Sequence, residues 1–328
     1  MKKRFFDRRI VFLFVISAFI FSSTSGYSQE DVAKYPRRPI TYIQPFSAGV
    51  PVDLAIRLIS KEAEKFLGQP VVVLNKPGAV GTIGVAAIAS SRPDGYTIGN
   101  TPHSPMFIVP YLEKLPYHPI KDLTMIMQFG GFNFGVIVKE DSPFKNFKDL
   151  IHFAQQNPKK LTYGTAGATS LQFIFMEKIA KMNGVQMTHI PFKSSADAQT
   201  GLLGGHIHFM VGDFSPSLIE SRDLRLLMLF REERADEYPN TPILKDMGYD
   251  FPFPSFICVA GPKGLPEGIV KKLENAFTKA IKEPLFIKGM KEDLRLPIIY
   301  RNSKDLTAYV ANNYAACERM LKDMGLIK

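Results

Sequence analysis

The chain has 328 residues, of which 45% are hydrophobic and 22% charged, with 24 Gly, 24 Pro and 2 Cys. These proportions exclude a disordered, collagen-like or disulfide-stapled protein. The first 28 residues hold five basic residues and one acidic residue, so they carry +4 of the formal net charge of +10 and leave +6 for the rest. So small a charge argues against a nucleic-acid partner, which needs clustered Lys and Arg, and suits the attraction of small anions.

The N-terminus has the three parts of a secretory signal peptide. Lys2, Lys3 and Arg4 precede an apolar run at 10–21, and small polar residues follow at 22–26. A membrane anchor is the alternative, but the run is shorter than the ~20 residues needed to cross the hydrocarbon core. We therefore predict that residues 1–28 are removed near 26–28 and that the mature protein is periplasmic.

The two cysteines leave two readings open. Cys258 lies in a strand-like run and Cys317 on a late helix, in a chain that we expect to meet an oxidising compartment. A disulfide would stabilise the fold by about 4 kcal/mol in the chain-entropy model. Because Cys317 shares an apolar stripe with Leu306, Val310 and Leu321, a buried free thiol explains it equally well.

Short apolar runs alternate with helical patterns, which is typical of an α/β protein with mainly parallel strands. In the first part of the chain we predict strands at 40–43, 71–74 and 96–98, and helices around 55–66 and at 83–90. After Gly130 and Gly131 the pattern resumes, with strands at 135–138, 161–163, 188–190, 206–211, 224–230 and 256–260, and helices at 147–156, 171–183, 196–203, 266–282 and 303–324.

About 300 residues exceed what one hydrophobic core usually serves, so we expect two lobes. The two natural boundaries are the loop at 129–134 and the Pro-rich stretch at 251–254. We predict lobe 1 from residues 29–131 and 255–328, and lobe 2 from residues 132–254. The ligand would then lie in the cleft between the lobes, closed by a hinge.

Two loops of small and hydroxyl residues each connect a predicted strand to a predicted helix. The first contains Phe46, Ser47, Ala48 and Gly49; the second contains Thr165, Ala166, Gly167, Thr169 and Ser170. Helix N-termini offer free N–H groups and partial positive charge, and hydroxyl groups can donate to a carboxylate. One such loop in each lobe predicts two anion sites facing one cleft, although ordinary turns with Ser/Thr caps explain the pattern too.

Five other residues belong to the same region. Thr101 and His103 follow the strand at 96–98, and in a parallel sheet that end faces the cleft, so both are candidates for ligand contact. Asp53 stands in the first turn of the first helix with Arg57 four residues later, which favours a structural role. Phe132 and Phe134, at the boundary between the lobes, would suit an apolar or aromatic part of the ligand.

Other chemistries find little support. The glycines at 78, 81 and 84 do not have the dinucleotide-binding spacing. His206 and His208 alternate on a predicted strand, but no third ligand accompanies them, so we expect no metal. The chain has neither a Gly-x-Ser-x-Gly elbow nor an evident Cys/His pair, so we expect no enzyme and no cofactor.

The sequence resembles the extracytoplasmic solute-binding receptors of tripartite tricarboxylate transporters, the Bug or TctC-like family. The resemblance runs over essentially the whole mature chain. It rests on Tyr35-Pro36-x-x-Pro39-Ile40, Pro45-Phe46-x-Ala48-Gly49-x-x-x-Asp53-x-x-x-Arg57, Leu67-Gly68-Gln69-Pro70, Asn75-x-Pro77-Gly78-Ala79, Pro93-Asp94-Gly95-Tyr96-Thr97, Leu115-Pro116-Tyr117, Leu161-Thr162-Tyr163-Gly164-Thr165-Ala166-Gly167, Ile190-Pro191-Phe192-Lys193 and Leu202-Leu203-Gly204-Gly205.

The resemblance implies a two-lobed, periplasmic-binding-protein-like α/β fold that holds a small carboxylate between its lobes. It implies that the loops around Phe46–Gly49 and Thr165–Ser170 grip this ligand, partly through water. The implied ligands are di- or tricarboxylates, amino acids or aromatic acids, and the implied partner is a membrane permease. We expect a monomer. An exported hydrolase or lyase, or a receptor repurposed for sensing, remains the alternative.

This sequence departs from the family pattern at several positions. Val50 and Thr169 stand where the family usually has Gly, Phe173 where it has His, and Ser194 where it has Gly. The family commonly has Trp near Phe256, whereas this chain has none. Since Val50 and Thr169 belong to the two loops, they are expected to alter the carboxylate site.

Overall fold

A computed structural model describes residues 32–231, 234, 237–251 and 253–328. Residues Met1–Tyr35 and Pro36–Lys328 form two separate units, and both sheets belong to the second. The predicted signal peptide and its cleavage site lie outside the described residues. Within the described part of the chain, no helix combines the length and the apolar character needed to span a membrane.

Ten strands and eleven α-helices are described. The strands are β1 (Ile40–Gln44), β2 (Val71–Asn75), β3 (Thr97–Gly99), β4 (Leu123–Gly130), β5 (Phe134–Lys139), β6 (Thr162–Thr165), β7 (Thr188–Pro191), β8 (Phe209–Asp213), β9 (Leu224–Leu229) and β10 (Ile257–Pro262). The helices are α1 (Pro51–Leu67), α2 (Thr82–Ala89), α3 (His103–Phe107), α4 (Val109–Leu112), α5 (Phe147–Gln156), α6 (Leu171–Met182), α7 (Ser195–Leu203), α8 (Pro216–Glu220), α9 (Glu267–Ala280), α10 (Pro284–Lys288) and α11 (Ser303–Asp323).

Local sequence explains where α1 begins and ends. Pro51 occupies the first helical position, where its missing N–H costs no hydrogen bond, and Asp53 supplies negative charge in the first turn. Gly68 ends the helix in the left-handed conformation, with φ of 68°, and its N–H donates to the carbonyl of Glu64. Apolar side chains at helical spacing bury one face of α1, and this face packs against α9 and the first sheet.

The first sheet has the strand order β2-β1-β3-β10-β4. β1 runs parallel to both β2 and β3, so these three strands end at the same edge. β10 returns from the distant end of the sequence and pairs antiparallel with β3 and β4. The loops after β1 and β3 therefore leave the sheet side by side.

The second sheet has the order β7-β6-β8-β5-β9 and repeats this plan. β6 runs parallel to β7 and β8, whereas β5 is antiparallel to β8 and β9. The carboxyl ends of β6 and β8 thus lie beside the amino end of β5. The chain passes between the sheets from β4 to β5 and again from β9 to β10.

Most sequence-predicted elements are confirmed, and α5 has the predicted bounds. The predicted strand at 206–211 is wrong at its start, because residues 206–208 form a bend and β8 begins at Phe209. His206 and His208 therefore do not alternate on a strand, and His208 instead accepts hydrogen bonds at Nδ1 from Thr162. Among the described residues, no group of three or more His, Cys, Asp or Glu is placed to hold a metal ion.

The disulfide is not formed. Cys258 and Cys317 are both buried free thiols. Cys258 lies within β10, where its N–H donates to the side-chain oxygen of Asn100 at 3.1 Å. Burial raises the pKa of Cys258 to about 11, so its thiol stays protonated at neutral pH.

Candidate functional site

The loop between β1 and α1 is held by Asp53 at its base. Asp53 Oδ2 accepts from the backbone N–H of Gly49 and from Arg57 Nε, both at 2.9 Å. Asp53 Oδ1 accepts from Asn75 Nδ2 at 2.7 Å. Burial alone would raise the pKa of Asp53, but the hydrogen bonds from Arg57, Gly49 and Asn75 outweigh it and lower the pKa. The structural role predicted for Asp53 is therefore seen directly.

This arrangement changes what the first loop can offer to a ligand. The Gly49 amide is already bonded to Asp53, so it is not available for a second anion. Ser47 and Ala48 are exposed, and no described hydrogen bond uses the Ala48 amide. Val50 caps α1 in an extended conformation, and its carbonyl accepts from the N–H groups of Asp53 and Leu54.

The second loop, between β6 and α6, is a connected set of hydroxyl groups. Ser170 Oγ donates to Thr165 Oγ1 at 3.1 Å, and Thr165 Oγ1 donates to the carbonyl of Gly167 at 3.0 Å. Ser170 also caps α6, because its Oγ accepts from the N–H of Phe173 at 3.2 Å. Both hydroxyl residues are buried, while Ala166 and Thr169 between them keep partial exposure.

His189 completes this group and was not predicted as a site residue. Its Nε2 lies 2.8 Å from Thr165 Oγ1, and its ring centroid lies 4.3 Å from that of Phe173. Burial lowers the pKa of His189 to about 4, so the imidazole is neutral at neutral pH. The parallel register pairs His189 with Tyr163, which places it two residues before the level of Thr165.

The two loops approach each other through the turn Ala79–Gly81. A methyl group on Gly167 would lie 3.7 Å from Cγ2 of Val80, so the second loop faces this turn. This turn and the start of α2 also pack against the first loop. A Cβ atom on Gly81 of the turn would lie 3.4 Å from Pro45, and one on Gly84 of α2 would lie 2.8 Å from it. The described residue that lies opposite Gly167 is therefore Val80 of this turn, not a residue of the first loop.

A second contact between the sheets runs through α3 and α6. The N–H of Leu171, the first residue of α6, donates to Ser104 Oγ at 3.0 Å. Beside it, the ring of His103 lies edge-on to Phe132 and Phe134, with centroid distances of 5.3 and 4.8 Å. Burial lowers the pKa of His103 to about 3, although the nearby Gln172 amide opposes the shift. His103 is therefore a neutral, aromatic-walled residue.

Thr101 has a different environment from the one that its position predicts. Its Oγ1 lies 3.2 Å from the sulfur of Cys258, and both residues are buried. The side chain therefore faces β10 within the first sheet, not the two loops. His103 therefore lies at the contact between the two sheets, whereas Thr101 lies inside the first sheet, against Cys258.

Several buried polar atoms near these loops have no hydrogen-bond partner among the described residues. They are both amide atoms of Gln44, Nδ2 of Asn100, Nδ1 of His103 and Oε1 of Gln172. Gln44 ends β1, Asn100 directly follows β3 and Gln172 is the second residue of α6. Buried polar groups are normally satisfied, so these side chains, three from the first sheet's segments and one from α6, indicate a place for water or ligand.

Comparison with known proteins agrees with this architecture. The TctC family profile, described as tripartite tricarboxylate transporter family receptor, matches residues 55–326. A Cupriavidus necator protein, called UPF0065 protein in gbd 5'region, is 34% identical over 331 aligned residues, covering 100% of this chain and 99% of that protein. The periplasmic binding protein BugD is similar in structure, with a TM-score of 0.79, 29% identity, and 90% of this chain and 100% of that chain covered. R. palustris Rpa4515 with adipate has a TM-score of 0.80 at 25% identity, over 89% of this chain and 98% of that chain.

Proposed function

This chain belongs to the tripartite tricarboxylate transporter receptor family, and we propose that it captures a small carboxylate in the periplasm and delivers it to the permease of such a transporter. In this proposal, residues 29–131 and 255–328 form lobe 1 and residues 132–254 form lobe 2. The ligand lies between them, and closure of the lobes retains it until the permease is met. The protein acts as a monomer and returns its ligand unchanged.

One observation carries this proposal: the Thr165–Ser170 hydroxyl pair stands at the N-terminus of α6, at the contact with lobe 1. A twelve-residue helix places partial positive charge at this end; the N–H groups of Leu171 and Phe173 are already bonded, whereas no described hydrogen bond uses that of Gln172. The Leu171 amide already reaches Ser104 of lobe 1, so an anion held here is enclosed from both sides. Of the neighbouring polar atoms without a described partner, Gln44 Nε2 and Asn100 Nδ2 are further donors, and Gln172 Oε1 is an acceptor.

We assign the contacts as follows. Thr165, Ala166, Gly167, Thr169 and Ser170 hold the carboxylate from lobe 2, and Phe46, Ser47 and Ala48 approach it from lobe 1. His103, with Phe132 and Phe134, forms an aromatic wall for the rest of the ligand. Gly49 and Thr101 support these contacts from behind, because each is already engaged with another residue.

A carboxylate ligand is supported by the adipate recorded with the similar structure Rpa4515. For the second candidate, an enzyme acting on a small organic acid, the described residues offer one hydroxyl beside a base: Thr165 is 2.8 Å from His189, but it already donates to Gly167. Incubation with the bound acid followed by mass spectrometry separates the two. A receptor returns the acid intact, and a chemically altered acid would favour the enzyme.

The test of the site compares two helix caps in lobe 2. Ser170→Ala removes the cap of α6 at the proposed site, and Asn146→Ala removes the cap of α5, where Asn146 Oδ1 accepts from the N–H of Asp149 at 3.1 Å. α5 follows the carboxyl end of β5, which is antiparallel to β8, so Asn146 lies at the opposite end of the sheet. Each change should cost about 1 kcal/mol of folding stability.

Ligand-induced thermal stabilisation should separate the two variants. The screen uses mono-, di- and tricarboxylates, amino acids and aromatic acids. The melting temperature of the wild-type protein should rise with its ligand, because binding stabilises the folded state by mass action. Ser170→Ala should bind that ligand about ten-fold or more weakly, since a hydrogen bond to a charged group contributes about 1.5–3 kcal/mol. Asn146→Ala should bind it normally. Equal affinity in all three proteins would place the ligand elsewhere.

A further inference from the structure

Asp213 is an acidic residue at the edge of the second sheet that faces lobe 1. It is the last residue of β8, and β8 is parallel to β6, so Asp213 and Thr165 end neighbouring strands at the same edge. The register pairs Gly164 with Met210, which puts Asp213 two residues beyond the level of Thr165. At about 3.3 Å per residue this is about 7 Å along the strand, close enough for one small ligand to touch both.

The register also fixes the face of the sheet on which Asp213 stands. Asp213 is the direct partner of Phe134 on β5, and directly paired residues of antiparallel strands project to the same face. The ring centroid of Phe134 lies 4.8 Å from that of His103 in lobe 1. Asp213 therefore stands on the face of the sheet that meets lobe 1.

Among the described residues, no cation is paired with the carboxyl group of Asp213. It lies deep among protein atoms yet keeps partial solvent exposure, as a group lining a cleft does. Its polar partner is Ser195, at the start of α7, and in the described part of the chain it forms no ion pair. A desolvated carboxylate without a counter-ion is unfavourable, so a ligand that supplies positive charge would be stabilised there.

In the part of the chain that the structure describes, no titratable group on the elements around Asp213 takes the place of that cation. On α6, Glu177 accepts from Tyr163, while Lys178 lies over the ring of Phe251 and Lys181 donates to the backbone of Asp323. On β5, Lys139 is at the far end and pairs with Asp141. The remaining titratable groups on these elements are Asp197 in the first turn of α7, His189 on β7, and His103 across the cleft.

We propose that Asp213 determines ligand specificity, and that the ligand is a carboxylate that also carries a cationic nitrogen. The inference rests on the proposed function: the ligand carboxylate meets the Thr165–Ser170 loop while its cation meets Asp213. A carboxylate without a cation would instead bring like charge towards Asp213, which disfavours its binding.

The acid–base properties of Asp213 agree with this role. Burial raises its pKa to about 7, against the lowering effect of the Ser195 hydroxyl. Without a bound cation, Asp213 is therefore near half-ionised at neutral pH, and a bound cation favours the ionised form. Because ionisation is complete only above this pKa, affinity for a cationic ligand should rise with pH.

The test uses matched acids that differ by one amine: alanine and propionate, glutamate and glutarate, 4-aminobutyrate and butyrate. Isothermal titration calorimetry at about pH 8 and about pH 5.5 compares wild type with Asp213→Asn and with Asp141→Asn. Asp141 is an exposed acid at the opposite end of β5, so its variant makes the same charge change away from the cleft. The wild-type pH profile tests the idea even if Asp213→Asn fails to fold.

We expect wild type to bind the amine-bearing member of one pair at least ten-fold more tightly at about pH 8 and to lose most of this preference at about pH 5.5. Asp213→Asn should abolish the preference and its pH dependence, and Asp141→Asn should retain both. Plain acids that bind equally well, with Ser170 still required, would overturn this inference and leave the proposed function standing. Plain acids that bind more tightly at low pH through Asp213 would also overturn it, by making Asp213 a proton donor. Failure of every acid in both panels would overturn the proposed function as well.

Discussion

Two neutral histidines flank the candidate site, one in each lobe, and their neutrality follows from burial. His103 lies against the rings of Phe132 and Phe134, and His189 lies between Phe173 and Tyr163. Neither has an acidic partner that would favour the charged ring. They therefore contribute polarisable aromatic surface and hydrogen-bonding nitrogen atoms without changing charge near neutral pH.

Because the pKa of His103 is lowered in the folded protein, the free energy of unfolding should decrease as the pH falls. The unfolded chain takes up a proton near the ordinary pKa of 6.5, whereas the folded chain takes it up only near 3, so this stability is present above pH 6.5 and is lost as the pH falls towards 3. Each pH unit in this interval costs about 1.4 kcal/mol, or about 2 kcal/mol between pH 6.5 and about pH 5.

Urea unfolding of wild type and His103→Phe at about pH 7.5 and about pH 5 measures this term. The variant should lose less stability on acidification, by about 2 kcal/mol, while the term from His189 stays in both proteins. His152→Gln, which changes an exposed histidine, is the control and should behave as wild type. The same acid-induced loss in His103→Phe as in wild type would show that His103 is protonated in the folded state.

At the scale of elements, the sequence predicts a helix or strand well where burial is one-sided. α1 and α5 show apolar side chains at helical spacing together with local end signals, Gly68 for α1 and Asn146 for α5. β4 was not predicted, because seven of its eight residues are buried and it shows no alternation. The three-residue bend before β8 has an apolar residue between two histidines and therefore resembles a strand.

The same reasoning explains which site residues could be predicted. The Thr165–Ser170 loop has a recognisable strand-to-helix composition, and a resemblance to a family supports it. Asp213 and Gln44 are single polar residues at the ends of apolar strands, with no motif around them. Their importance depends on the strand orders β7-β6-β8-β5-β9 and β2-β1-β3-β10-β4, which bring distant segments together and cannot be read from local pattern.

The packing of α2 against the β1–α1 loop gives a test of how elements support the site. A Cβ on Gly84 of α2 would lie 2.8 Å from Cα and Cβ of Pro45, so Gly84→Ala must displace the start of this loop. Within a helix, replacing Gly by Ala normally stabilises by about 1 kcal/mol. Here we expect a net loss of about 1–2 kcal/mol because overpacking outweighs that gain.

Urea unfolding and ligand titration of Gly84→Ala should both show a loss. Gly204→Ala is the control, since a Cβ there meets chiefly the end of the His206 side chain, at 3.1 Å, which can rotate away. That variant should keep its affinity for the ligand. A Gly84→Ala protein as stable as wild type, with unchanged affinity, would show that the first loop does not depend on α2.

In the unit Pro36–Lys328 as a whole, one of the contacts between the two proposed lobes involves a strained turn. Val80 and Ala79 both adopt positive φ, 55° and 45°, and Val80 is the residue that faces Gly167 across the cleft. A β-branched residue in this region carries a backbone cost of about 1–2 kcal/mol, which glycine does not. Because Val80 has this unfavourable backbone conformation and lies opposite Gly167, we expect its side chain to stabilise the closed state.

Val80→Gly should therefore separate closure from folding. It relieves the backbone cost but removes the side chain that meets the second loop, so stability without ligand should change by less than about 1 kcal/mol while ligand affinity falls several-fold. Small-angle scattering should show a smaller ligand-induced decrease in radius of gyration than in wild type. Ala79→Gly is the matched control, because it relieves the same kind of backbone conformation in an exposed neighbour. If Val80→Gly closes on ligand as fully as Ala79→Gly and wild type, the Val80 side chain does not contribute to closure, and contacts such as that between Ser104 and Leu171 suffice.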